Sequence, residues 1–126
     1  MPLIDAEPYS SWVIGCAIEV HKTLGPGLLE SIFEAALCQQ LTAGGLAFVR
    51  QQKLPVIYKG YSLDCDFRMD LVIGNALIVE VKSVQTLLPL HEAQLLTSMK
   101  VSGLRAGLML NFNVVRLTDG IRRRLL

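Results

Sequence analysis

The stretch Phe67-Arg68-Met69-Asp70-Leu71-Val72-Ile73-Gly74-Asn75-Ala76-Leu77-Ile78-Val79-Glu80-Val81-Lys82 decides how this chain folds. It reads as two strands around a turn, and the length of the turn fixes where every charge goes. A two-residue Gly74-Asn75 loop would set Ile73 opposite Ala76 and Asp70 opposite Val79. Directly paired residues share a sheet face, so Glu80 and Lys82 would then join Phe67, Met69 and Leu71 and bury charge among apolar side chains. A three-residue loop, Gly74-Asn75-Ala76, pairs Ile73 with Leu77 instead. Met69, Leu71, Ile73, Leu77, Val79 and Val81 then form one apolar face, and Arg68, Asp70, Val72, Ile78, Glu80 and Lys82 the other. The odd register, or a bulge with the same effect, is the expected one.

That register places Asp70 opposite or close to Glu80, with Cβ atoms ~5 Å apart. Two carboxylates at that spacing repel unless a proton or cation lies between them. With the carbonyl of Val81 they offer the hard oxygen donors that Mg²⁺ or Mn²⁺ prefers, and Lys82 projects from the same face. The competing reading is a half-exposed strand with a Glu–Lys–Arg–Asp salt-bridge face. The apolar Val72 and Ile78 beside the charges count against it.

Outward from the hairpin, the period of the apolar residues changes. Upstream it is helical: Ser10 or Ser11 can cap a first helix ending near Leu24, after residues 1–9 as a flexible N-terminus. Gly25-Pro26-Gly27 breaks the chain and opens a second helix to about Ala43, closed by Gly44-Gly45, with Leu28, Leu29, Ile32, Ala36, Leu37, Cys38 and Leu41 as its apolar face. Residues 46–50 and 54–58 read as short strands and Lys59-Gly60 as a turn. From Tyr61, alternate residues through Leu71 point one way. Downstream, Pro89 opens a third helix ending at Gly103, and Ala106–Phe112 reads as a buried strand. The expected fold class is α/β: two N-terminal helices, a central mixed sheet, one crossover helix and a following strand, all in a single domain over residues 1–126.

Composition agrees with a domain of this kind. The chain has 126 residues, of which 52% are hydrophobic and 18% charged. Disordered chains are the reverse. No apolar run approaches the ~20 residues a membrane span needs. Asp5 and Glu7 near the start argue against a signal peptide, so a cytoplasmic protein is expected. Part of the apolar surplus can sit in a homodimer interface. Cys16, Cys38 and Cys65 match neither a disulfide framework nor a zinc site and read as free thiols. The net charge of +1 hides an uneven distribution. Residues 105–126 hold five arginines against Asp119 alone, and Arg122 and Arg123 are candidates for holding a nucleic-acid backbone.

Asp70 followed by Glu80-Val81-Lys82 resembles the D…(D/E)-x-K signature of the PD-(D/E)XK nuclease superfamily. Gly27-Leu28-Leu29-Glu30-Ser31-Ile32-Phe33 resembles the motif that names the GxxExxY protein family within it. Residues 17–27, Leu54-Pro55-Val56-Ile57-Tyr58-Lys59-Gly60, His91-Glu92-Ala93-Gln94-Leu95-Leu96 and Leu110-Asn111-Phe112-Asn113-Val114 are similar to that family too, so the resemblance covers roughly residues 10–124. It implies a restriction-endonuclease-like core that hydrolyses phosphodiester bonds of DNA or RNA with Mg²⁺ or Mn²⁺. On this resemblance Asp70 and Glu80 are metal ligands, Lys82 is the catalytic lysine and Glu30 is a further carboxylate near the metal. Gln94 matches the glutamine of a Q-x-x-x-Y element and is expected to be catalytic and to touch substrate. Phe33 and Ser98 stand where the two motifs carry tyrosine. Arg68 is a candidate for phosphate contact, or for holding Asp70 or Glu80 in place. A catalytically silent binding module on the same fold is the alternative function.

Overall fold

The turn between the two central strands has three residues. In the computed structural model Ile73 pairs with Leu77, Val72 with Ile78 and Leu71 with Val79. The structure describes the chain from residue 2 and its side chains from residue 8. Along the chain come α1 (Pro2–Leu24), α2 (Glu30–Ala43), β1 (Phe48–Tyr58), β2 (Tyr61–Ile73), β3 (Leu77–Lys82), α3 (Pro89–Ser102), β4 (Ala106–Asn111), a 3₁₀ turn (Leu117–Gly120) and β5 (Ile121–Leu125). The five strands lie side by side in sequence order. β3 and β4 run parallel, joined by α3 as the expected crossover, and the other neighbours are antiparallel. The fold is α/β with a mixed sheet, consistent with a restriction-endonuclease-like architecture.

The sheet is covered on both sides. Leu71, Ile73, Leu77, Val79 and Val81, with Leu108 and Leu110, pack against Val13, Ala17, Phe33, Leu37 and Leu41 of α1 and α2. Val72, Ile78 and Met109 pack on the opposite face against Leu95 and Met99 of α3. All six residues of β4 are buried, as a strand covered on both faces requires. No helix is long and apolar enough to cross a membrane, among the described residues. Cys16, Cys38 and Cys65 are free; the first two are buried and Cys65 is exposed.

Several elements depart from the sequence expectation, each for a physical reason. The backbone is helical from Pro2, so α1 does not begin at Ser10 or Ser11, and Ser10 is buried. The expectation of a flexible segment over residues 1–9 falls mostly on residues whose side chains lie outside those described. The second helix starts at Glu30 because Gly25 and Gly27 take positive φ (69° and 99°) and Leu29 is extended. Its buried stripe is Phe33, Glu34, Leu37, Cys38 and Leu41, while Ile32 and Leu29 are exposed. The two short strands expected before Lys59 are one, with a register shift between Leu54 and Val56 where Pro55 has no N–H to donate. β5 has no counterpart in the expectation.

The alternation along β2 also breaks. Arg50 pairs with Leu71 and Gln52 with Met69. Leu71 packs under α1 and α2, but Met69 packs on the α3 side with Leu54, Leu95 and Met99. The strand faces therefore exchange across Gln51 and Asp70, and Phe67, Met69 and Leu71 do not share one face. Gln51 carries the backbone signature of the exchange, a φ of 54°.

Candidate active site

Asp70 sits where β2 and β3 part. The backbone ladder ends at Leu71–Val79, and the N–H of Val81 donates instead to Asp70 Oδ2 at 2.8 Å. A side chain has taken the place of a strand partner, and it draws the Asp70 carboxylate toward Glu80. Glu80 shares the α3 side of the sheet and is hydrogen-bonded to Asp70. Burial raises its carboxyl far above the ordinary range, and the charge and hydrogen bond of Asp70 push it further, against a smaller opposing pull from Lys82.

Around this pair lies a cleft of about 310 Å³ between β2, β3 and α3, lined by Arg68, Asp70, Glu80, Lys82, His91, Gln94 and Ser98 with Phe67, Leu95 and Met109. Lys82, two residues beyond Glu80, follows it along the same face. Its partner across the parallel ladder is Asn111. The Asn111 side chain is buried and clamps the exit of β3, accepting from Val84 N at 3.0 Å and donating to Val84 O at 3.0 Å. Gln94 and Ser98 reach the cleft from α3, four residues apart on one stripe. His91 also caps that helix, its Nδ1 accepting from Leu88 N at 3.0 Å.

Glu30 lies on the other side of Asp70. It opens α2, where the Ser83 N–H donates to its carboxylate and the Ser83 hydroxyl donates to Leu28 O at 2.6 Å. Burial raises the Glu30 carboxyl, with Lys82 pulling the other way. It lines a second cleft of about 430 Å³ with Glu34, Gln51 and Asp70, so Asp70 is a wall shared by both clefts. No three His, Cys, Asp or Glu side chains are grouped to hold an ion, among the described residues. Glu30 is thus near Asp70 but is not joined with Asp70 and Glu80 in one ligand set. Asp70 and Glu80 alone still fit a hard divalent cation. Two neighbouring carboxylates in one cleft leave negative charge that a cation would offset, and Mg²⁺ is often held by only one or two carboxylates, with waters and substrate phosphate completing its shell.

The remaining candidates are placed less favourably. Arg68 lines the cleft, and its guanidinium donates to Asp66 at 2.6 Å and to the Gln51 carbonyl at 3.4 Å; among the described residues it makes no bond to Asp70 or Glu80. Arg122 and Arg123 line neither cleft. They alternate on β5, Arg122 opposite Met109 and Arg123 opposite Leu108, and so belong to opposite faces of the sheet. Arg122 donates to the carbonyls of Asp119 and Ile121, and its neighbour Arg124 pairs with Glu92 of α3. Phe33 is fully buried, stacked on Phe112 with ring centroids 4.7 Å apart, and faces the core instead of the cleft. His21 is a core histidine bonded to Val114 O at 2.8 Å.

Two residues of the site carried no weight in the sequence. Glu34 is buried one turn after Glu30 and accepts from Arg50 Nε at 2.7 Å and from Gln51 Nε2 at 3.0 and 3.1 Å. Gln51 also reaches Asp70 Oδ1 at 3.4 Å. The i, i+4 spacing of Glu30 and Glu34 was an available signal for the first; nothing in the residue types announces the second.

Comparison with known proteins agrees with this geometry. No curated protein and no solved structure matches the chain. A family model described as PD-(D/E)XK nuclease superfamily matches residues 7–124, nearly its whole length. The chain belongs to the PD-(D/E)XK nuclease superfamily.

Proposed function

We propose that the protein is a metal-dependent phosphodiester hydrolase of the GxxExxY type, acting on DNA or RNA. The observation that carries this reading is the half-buried contact between Asp70 and Glu80 in a cleft that also holds Lys82. Asp70 and Glu80 would hold Mg²⁺ or Mn²⁺, with Glu30 nearby on the α2 side. When bound, the ion supplies neutralisation of phosphoryl charge and acidifies a water. Lys82 supplies a fixed ammonium beside the reacting phosphate, where it orients the attacking water and offsets charge developing on the phosphoryl oxygens. Gln94 offers amide donors to a phosphate or base from across the cleft, and Arg68 stands at its rim as a further cation. Nicking and cleavage assays on several nucleic acids with Mg²⁺ or Mn²⁺ test the reading. Activity should vanish in Lys82→Ala and Asp70→Asn; activity unchanged in both refutes it.

The lack of a three-carboxylate group among the described residues favours a second reading, a silent nucleic-acid- or protein-binding module on the same face. Calorimetry separates the two, because a silent module takes up no Mn²⁺ in a Glu80-dependent way. Free thiols support a reducing compartment such as the cytoplasm. Trp12, Ile18 and Ile32 remain exposed on α1 and α2 and support association of two copies through this side, which sedimentation at varied concentration tests.

A further inference from the structure

Consecutive residues of a β-strand point to opposite faces. Arg50 and Gln51 are consecutive on β1, yet both donate to the same carboxylate, that of Glu34. The φ of 54° at Gln51 makes this geometry accessible, at a residue that is not glycine and in a region L side chains seldom occupy. Its peptide is also tethered, since the carbonyl of Gln51 accepts from Arg68 Nη1 at 3.4 Å. Strain of this kind persists where the surroundings over-determine it, and it clusters at sites that need pre-organisation.

What the strained conformation achieves is visible at Asp70. A side-chain amide has two N–H donors. The Gln51 amide reaches both Glu34 oxygens and Asp70 Oδ1, while Asp70 Oδ2 is held by the Val81 N–H. Both oxygens of Asp70 are therefore engaged, one from β1 and one from β3, which fixes the plane of the carboxylate beside Glu80. Glu34 is buried and holds the amide from behind, with Arg50 balancing its charge. We infer that Gln51, backed by Glu34, is a positioning residue that orients the Asp70 carboxylate for metal and substrate. This rests on the proposed metal-dependent reading of the Asp70–Glu80 cleft for its functional meaning, but the orientation itself is measurable without metal.

Gln51→Gly separates positioning from folding, because glycine adopts the observed φ freely while deleting the amide. Three readouts are taken on the same protein. Thermal unfolding should be retained within a few degrees. Hydrogen exchange of the Val81 amide, whose acceptor is Asp70, should accelerate about tenfold or more while the amides of β4 are unchanged. Mn²⁺ affinity by calorimetry should weaken about tenfold or more, the scale seen when a residue behind a metal ligand is removed. Gln51→Glu, which puts a third carboxylate between Glu34 and Asp70, should weaken Mn²⁺ at least as much. An unchanged Val81 exchange rate in Gln51→Gly overturns the inference, as does unchanged Mn²⁺ affinity when the wild type binds the ion. If the wild type takes up no Mn²⁺ but Val81 loses protection, the orienting role stands and the metal-dependent reading falls.

Discussion

Uptake of a divalent ion by this site should expel a proton, and the amount follows from the structure. Burial and the adjoining Asp70 raise the Glu80 carboxyl from 4.5 to about 9. The group thus keeps its proton well above the ordinary carboxylate range, and a carboxylate must lose it to bind metal. Each ion bound at neutral pH should therefore displace a proton. Apparent Mn²⁺ affinity should climb about tenfold from pH 7 to pH 8, continue toward pH 9 and then level off. Titration calorimetry at pH 7 in two buffers of different ionisation enthalpy reads the released proton directly as a difference in heat. Glu80→Gln has no proton to lose, so its residual heat should be independent of buffer. Equal heats in the two buffers for the wild type, with affinity flat from pH 7 to 8, would refute the reasoning that desolvation keeps Glu80 protonated.

The same raised carboxyl sets the pH dependence of the metal-free chain. Its stabilising contribution is fully present below pH 4.5 and is lost as pH rises toward about 9. Urea midpoints of the metal-free protein should therefore fall between pH 5 and pH 9, and Glu80→Gln should flatten that slope. Phe33→Ala removes a fully buried ring stacked on Phe112 and should cost about 3–5 kcal/mol in denaturant unfolding; a loss below about 1 kcal/mol contradicts the packing. Asn111→Ala leaves both backbone groups of Val84 without their side-chain partners and should destabilise by about 1–3 kcal/mol in denaturant unfolding. Gly120→Ala would put a Cβ 2.1 Å from the Asn111 carbonyl oxygen, a backbone atom that cannot move aside cheaply, so thermal unfolding should drop by several degrees.

The hairpin was legible because charge parity leaves one acceptable register, and the three-residue turn follows from keeping Glu80 and Lys82 off the apolar face. α3 was legible from its ends, Pro89 at the start and Gly103 in the left-handed conformation at the close. β5 was not, because Ile121-Arg122-Arg123-Arg124-Leu125 shows no polar–apolar alternation. An edge strand takes its ladder from β4 and needs no apolar face of its own. The exchange of faces at Asp70 was also hidden. It depends on a left-handed glutamine, a conformation that residue type does not signal outside Gly, Asn and Asp. The arginine run read as one basic patch, but a strand sends Arg122 and Arg123 to opposite sides of the sheet.

The bond from the Val81 amide to Asp70 ties a reactive group to the integrity of the sheet. Replacing Asp70 with an apolar residue would remove the proposed metal ligand and also strip a half-buried backbone donor of its acceptor, so the loss would be felt in folding as well as in the proposed chemistry. Among the described residues, the Lys82 side chain carries no comparable duty to the backbone. A descendant that had abandoned hydrolysis would be under architectural pressure to keep its aspartate long after its lysine had drifted. Within this fold the aspartate is thus weak testimony to an active enzyme. The informative position is 82, and lysine stands there in this chain.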